Sequence, residues 1–89
     1  MPRIKVPAAL AGGSGPETVE VTGTTLAEAL ADHAAEHGPE LQQSVVEDGE
    51  LREYINVFID GTEAEGLSDE LEDDSLIRVM PAASGGQSR

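Results

Sequence analysis

Leu76-Ile77-Arg78-Val79-Met80-Pro81-Ala82-Ala83-Ser84-Gly85-Gly86 is the stretch on which the reading of the architecture turns. Its first half alternates, with Ile77 and Val79 facing inward and Arg78 and Met80 outward, the period of a half-buried strand. Pro81 brings no N–H to a ladder and marks the end of the alternation. The residues after it are small and finish in a diglycine. A strand that runs out this way presents a thin arm, because glycine lacks a Cβ and accepts backbone angles other residues avoid. The chain therefore divides into a domain over residues 1–81 and a flexible tail over residues 82–89. Gln87-Ser88-Arg89 follow the diglycine, so Gly86 is not the last residue as written.

Working back from that strand, Tyr54-Ile55-Asn56-Val57-Phe58-Ile59 is rich in β-formers. Ile55, Val57 and Ile59 share one face; Tyr54, Asn56 and Phe58 share the other. Asp60-Gly61 closes it. Residues 62–74 are acidic and read as loop with a short strand, pinned by Leu67 and Leu71. Residues 40–51 are ambiguous: Leu41, Val45 and Val46 fit a short helical turn, and Asp48-Gly49 signals a turn.

The helix before them is the most secure element. Thr25 and Glu28 have capping-box spacing. Leu26, Ala29, Leu30, His33, Ala34 and His37 recur on one stripe, and Gly38-Pro39 ends it. At the amino end, residues 3–10 read as a strand with Ile4, Val6 and Ala8 on one face, and Pro7 suggests an edge position or a bulge. Residues 11–16 form a glycine-rich turn, and residues 17–21 a second strand with Val19 and Val21 inward, giving a hairpin. Strand runs with one helix across one face predict an α+β two-layer domain.

Composition narrows the function. Eighty-nine residues make one domain with a modest core, and without cysteine there is neither a disulfide nor a thiolate metal site. Eighteen acidic against five basic residues give a formal charge of −13. Nucleic acid and anionic membrane are therefore unexpected partners. A basic protein partner or a salt-rich cytoplasm fits, and so does acidity that merely maintains solubility. No apolar run reaches the length of a membrane span and the first residues lack a secretory core, so a cytoplasmic location is expected, with a monomer as the default.

His33 and His37 stand four apart, a spacing that can hold zinc, yet no third ligand is marked out. The carboxylates Glu70, Glu72, Asp73 and Asp74 lack calcium-loop spacing and read as a solvated turn; Glu47, Asp48 and Glu50 read the same way. Tyr54 and Phe58 fit either a partner contact or a sheet face covered by a loop. No Ser/His/Asp constellation or phosphate loop is visible. No metal or cofactor site is therefore expected.

Five segments in order resemble the ThiS/MoaD family of sulfur carriers, which are ubiquitin-like β-grasp proteins: Ile4-Lys5-Val6; Thr25-Leu26-Ala27-Glu28-Ala29-Leu30; Ile55-Asn56-Val57-Phe58-Ile59-Asp60-Gly61; Leu71-Glu72-Asp73-Asp74-Ser75-Leu76-Ile77; and Val79-Met80-Pro81-Ala82-Ala83-Ser84-Gly85-Gly86. The last is the most specific, and the Asn-Val-Phe-Ile-Asp-Gly run is most similar to the CysO-like branch. The resemblance implies a mixed sheet of four to five strands packed on one main helix. It also implies that the chain is a protein co-substrate and not an enzyme. An E1-like adenylating enzyme would activate the carboxylate of Gly86, a sulfur donor would convert it to a thiocarboxylate, and a sulfur-accepting synthase would use it. Gly85 and Ser84 would pass through the partner's channel, Met80 would pack on the activating enzyme, and Arg78 would flank that contact.

The sequence departs from the family pattern twice. The turn before the last strand usually reads Asp-Gly-Asp and here reads Asp73-Asp74-Ser75, so that an Asp would take the left-handed conformation at some cost. Gln87-Ser88-Arg89 extend beyond the diglycine, which implies trimming by a peptidase after Gly86. By itself a diglycine near a terminus is commonly a linker, and Gly12-Gly13 is the internal control, the same dipeptide in a turn. The preceding strand, the proline and the element order favour the functional arm. Its rivals are a ubiquitin-like modifier joined to target lysines through Gly86, a small subunit of molybdopterin synthase, and a β-grasp interaction module with an inert tail. The pathway served stays open among cysteine, thiamine thiazole, molybdopterin and a sulfur-containing natural product.

Overall fold

The computed structural model describes residues 1–7, 17–53 and 55–81. The elements run β1 (Arg3–Val6), β2 (Glu17–Glu20), α1 (Leu26–His37), α2 (Glu40–Val45), β3 (Val46–Glu47), β4 (Glu50–Leu51), β5 (Ile55–Ile59), β6 (Thr62–Glu63) and β7 (Leu76–Pro81). Five strands form one sheet in the order β2-β1-β7-β5-β6, and β3 and β4 form a separate hairpin. The β1–β7 pair is parallel and the other pairs are antiparallel, so the sheet is mixed.

Alternation along each strand puts one face against α1. Ile4, Val6, Val57, Ile77 and Val79 are buried there with Leu26, Ala29 and Leu30 from the helix. Leu41 and Val45 close the core from α2, and Leu67 and Leu71 pack against it half-buried, the pins that their spacing suggested. The helical turn over residues 40–45 continues directly into the β3–β4 hairpin, which resolves the ambiguous segment into two elements.

Both Asp-Gly pairs make two-residue hairpin turns. Asp48 and Gly49 have φ of 55° and 79°, and Asp60 and Gly61 have φ of 53° and 86°. Positive φ at both central positions is what a turn matched to strand twist requires, and glycine supplies the second at no steric cost. The non-glycine residues with positive φ are Asp48 and Asp60 among the described residues, so the turn before β7 does not use the left-handed aspartate expected there. It is built by Ser75: its amide donates to the Glu72 carbonyl at 3.1 Å, and its hydroxyl accepts from the Glu72 amide at 2.8 Å. A side chain closes the turn, so no unusual backbone angle is needed.

Other expectations shift in detail. β1 ends at Val6, because Pro7 cannot continue the ladder, and Ala8 to Leu10 and the turn over residues 11–16 lie outside the described residues, as does Tyr54. Pro7 does not mark an edge: β1 is flanked by β2 and β7. On α1 the buried stripe stops at His33, with Ala34 half-buried and His37 exposed.

The start of α1 shows how a loop is made to carry structure. Its first three N–H groups lack partners within the helix. Leu26 donates to the Asp69 carbonyl and Ala27 to that of Leu67, each at 2.9 Å, and Glu28 donates to Thr25 Oγ1 at 3.2 Å. In return Leu71 N–H donates to the Thr24 carbonyl at 2.8 Å. The acidic segment between β6 and β7 is thus fixed as the cap of the main helix. Gly23 sits under it at φ 141°, where an added Cβ would lie 2.8 Å from Glu28 Cβ. The Glu28 carboxylate reaches Thr24, accepting from its amide at 2.8 Å and its hydroxyl at 3.1 Å. Those bonds hold the Glu28 carboxyl below its ordinary pKa.

Candidate functional site at the end of β7

β7 is the middle strand of the sheet, and its attachment tapers. Asp60 clamps its start: Leu76 N–H donates to Asp60 Oδ1 and the Asp60 amide donates to the Leu76 carbonyl, both at 3.0 Å. Leu76 pairs with β1, and Ile77 and Arg78 are paired on both flanks, with β1 and with β5. From Val79 to Pro81 the register continues on the β5 side, ending with Pro81 opposite Ile55. Beyond lie Ala82 to Arg89, including the expected site residues Ser84, Gly85 and Gly86, which are outside the described residues.

Of the expected contact residues, the structure places Arg78 and Met80 as the alternation predicted. Ile77 and Val79 are buried and Arg78 and Met80 stand on the open face, Met80 with 45% of its surface exposed. The structure adds neighbours that the strand pattern alone did not combine. Phe58 lies directly opposite Arg78, and Asn56 opposite Met80. Phe58, Gly61, Arg78 and Met80 line a shallow depression of ≈ 260 Å³. Phe58 is half-buried in it. Gly61 entered as a turn residue only; its place in the depression follows from the hairpin that folds it back beside β5.

A wider depression of ≈ 530 Å³ lies between α2 and the β3–β4 hairpin. Its wall is acidic, from Glu40, Glu47 and Glu53. Arg52 is held there, its Nε donating to the Gln43 carbonyl at 3.0 Å and its Nη1 lying 3.6 Å from Glu47 Oε1. His33 is buried, and neither ring nitrogen has a hydrogen-bond partner among the described residues. Its ring centroid is 4.8 Å from that of exposed His37. Burial, then the charge of His37, lowers the His33 pKa, against the opposing pull of Glu17 and Asp32. No group of three or more His, Asp or Glu side chains among the described residues is arranged to hold a metal. No helix among them is long and apolar enough to cross a membrane.

A five-stranded mixed sheet wrapped on one main helix, with the last strand in the middle and leading out to the carboxyl end, defines a ubiquitin-like β-grasp domain. No family model and no curated protein sequence matches the chain significantly; the likeness is to solved structures. It is 25% identical to a chain of the Amycolatopsis orientalis BexX/CysO complex, with a TM-score of 0.82 over 97% of this chain and 100% of that one. Mycobacterium tuberculosis CysO shares the fold at 20% identity and a TM-score of 0.80 over 93% and 100%. SAMP1 of Haloferax volcanii is 32% identical, with a TM-score of 0.71 over 96% and 98%. The chain belongs to the ThiS/MoaD-type family of ubiquitin-like β-grasp sulfur carriers and modifiers.

Proposed function

We propose that this chain is a sulfur carrier that works through Gly86. The observation that carries the reading is the placement of β7, an anchored middle strand whose pairing falls to one flank by Pro81 and whose sequence then runs through small residues to the diglycine. Residues 1–81 serve as the folded body and residues 82–89 as the arm. A peptidase hydrolyses the bond between Gly86 and Gln87, freeing a carboxylate. An E1-like adenylating enzyme joins that carboxylate to AMP from ATP, releasing pyrophosphate. Hydrosulfide displaces AMP, leaving a thiocarboxylate at Gly86. A sulfur-accepting synthase adds this nucleophilic sulfur to an electrophilic substrate, in cysteine or natural-product synthesis in the cytoplasm. The body supplies no general acid or base; it presents the arm, with Gly85 and Ser84 narrow enough for a channel and Arg78 and Met80 contacting the activating enzyme.

A second reading has its own support: the chain is 32% identical to a protein whose name is small archaeal modifier protein 1. As a modifier, Gly86 is joined to target lysines after the same adenylation. Intact-mass measurement separates the readings. A chain ending at Gly86, given an E1-like enzyme, ATP and sulfide, is expected to gain one sulfur-for-oxygen exchange, and the chain ending at Arg89 to gain nothing. Equal gain by both sinks the trimming step, no gain by the shorter form sinks the carrier, and protein-bound conjugates in cells favour the modifier.

A further inference from the structure

The chain has two histidines, and the fold puts them side by side. Both lie on α1, His33 one turn before its end and His37 as its last residue. Residues four apart on a helix are neighbours on its surface. Here the ring centroids are 4.8 Å apart, with the planes tilted by 36°. That is close enough for a turn of the rings to set one nitrogen of each about 2.0–2.1 Å from a shared ion, the length of a zinc–imidazole bond.

His33 is the unusual member of the pair. It is 5% exposed, and neither ring nitrogen has a hydrogen-bond partner among the described residues. A neutral imidazole carries one donor and one acceptor, and a buried polar atom left unpaired destabilises the fold. The rest of the buried stripe of α1 is Leu26, Ala29 and Leu30. Another apolar side chain at position 33 would pack there without that cost. Packing therefore does not account for the imidazole, and a ligand for one of its nitrogens does. His37 is exposed, so the pair combines an anchored ring with one that can swing, and an ion has access from the His37 side.

Electrostatics select a cation. The pair occupies the last turn of α1, where unsatisfied carbonyls make the negative end of the helix. The carboxylates of Glu17 and Asp32 favour positive charge at His33, and Asp32 is held by the Thr22 amide, which donates to its Oδ2 at 3.0 Å. Neither carboxylate completes a group of three ligands among the described residues. Two imidazoles are then the protein's share, and water supplies the remaining positions. Imidazole suits zinc, nickel and copper, whereas magnesium and calcium take oxygen ligands.

We propose that His33 and His37 form a two-imidazole site for a divalent transition-metal ion of the zinc or nickel kind. The ion ties together the last turns of α1 and pairs a His33 nitrogen that the described fold leaves without a partner. The site goes beyond the carrier reading and needs nothing of the tail; its test reads metal and not sulfur.

The test is a calorimetric titration of the full chain, without a histidine tag and stripped of metal, with ZnCl2, NiCl2 and MgCl2. Zinc and nickel are each expected to bind at one ion per chain, and magnesium to bind far more weakly. With zinc, the ring resonances of His33 and His37 are expected to shift together in NMR spectra. His37→Gln alters an exposed residue and is expected to leave the metal-free unfolding midpoint unchanged while weakening zinc binding at least about tenfold. His33→Gln is expected to weaken it as much; if that variant fails to fold, the His37→Gln affinity decides. No binding at one ion per chain, magnesium binding as tight as zinc, ring resonances unmoved by zinc, or unaltered zinc affinity in His37→Gln overturns the proposal.

Discussion

The two faces of the sheet share their strands and differ in nearly everything else. Along β7 the inward residues Ile77 and Val79 are at most 3% exposed, while their neighbours Arg78 and Met80 lie open. The inner face is apolar, covered by α1 and α2 and continuous with the core. The outer face has no element of the described chain across it and carries most of the positive charge. Because strand side chains alternate, one short segment can hold the fold together and offer a contact surface at once. What separates the buried face from the open one here is a single step along the backbone.

That contrast can be broken by substitution. Ile77→Ala removes buried methylenes from the centre of the inner face and is expected to cost about 3 kcal/mol, within the range for large-to-small core changes. Urea unfolding would read it, and a loss under about 1 kcal/mol would mean that the core does not depend on this strand. A smaller effect is expected at His33, at the margin of the apolar layer. With its folded pKa lowered from 6.5, the unfolded chain binds more protons between the two values. Stability is therefore full above the ordinary value and falls as acid is added down to the lowered one. His33→Leu is expected to shrink the stability difference between about pH 7.5 and about pH 5.5. An unchanged difference would show that the ring is solvated in solution.

Smallest of all is Met80→Ser, one residue from buried Val79 yet on the open side. Its unfolding midpoint is expected to shift by no more than about 0.5 kcal/mol in stability terms. The adenylation rate with an E1-like enzyme should drop in the same variant. A large stability loss with unchanged adenylation would reverse the division of labour between the faces.

Much of this was legible in the chain. The capped helix, the β5 run, the alternation of β7 and both Asp-Gly turns are written in local chemistry: capping side chains, β-branched residues and a glycine at positive φ act within a few residues of themselves. The segment over residues 62–74 was legible only as acidic loop. Its role as the cap of α1 arises from backbone carbonyls of Leu67 and Asp69, which every sequence possesses and none advertises. The aspartate expected in the turn before β7 was displaced by the hydroxyl of Ser75, a residue that reads as nothing more than small and polar. At the candidate site, Arg78 and Met80 were found by alternation. That Lys5 lies beside Arg78 was missed, because nothing local says that a strand at the amino end will lie parallel to the last one.

By itself the sequence determined the elements, the inward and outward order of their residues, and the place of a diglycine after a final strand, since period, turn chemistry and small side chains are local properties. The tertiary structure decided which strands became neighbours. Only that choice set Lys5 beside Arg78 and Phe58 beyond it, because charges far apart along the chain add to one field only when the fold brings them within a few ångströms.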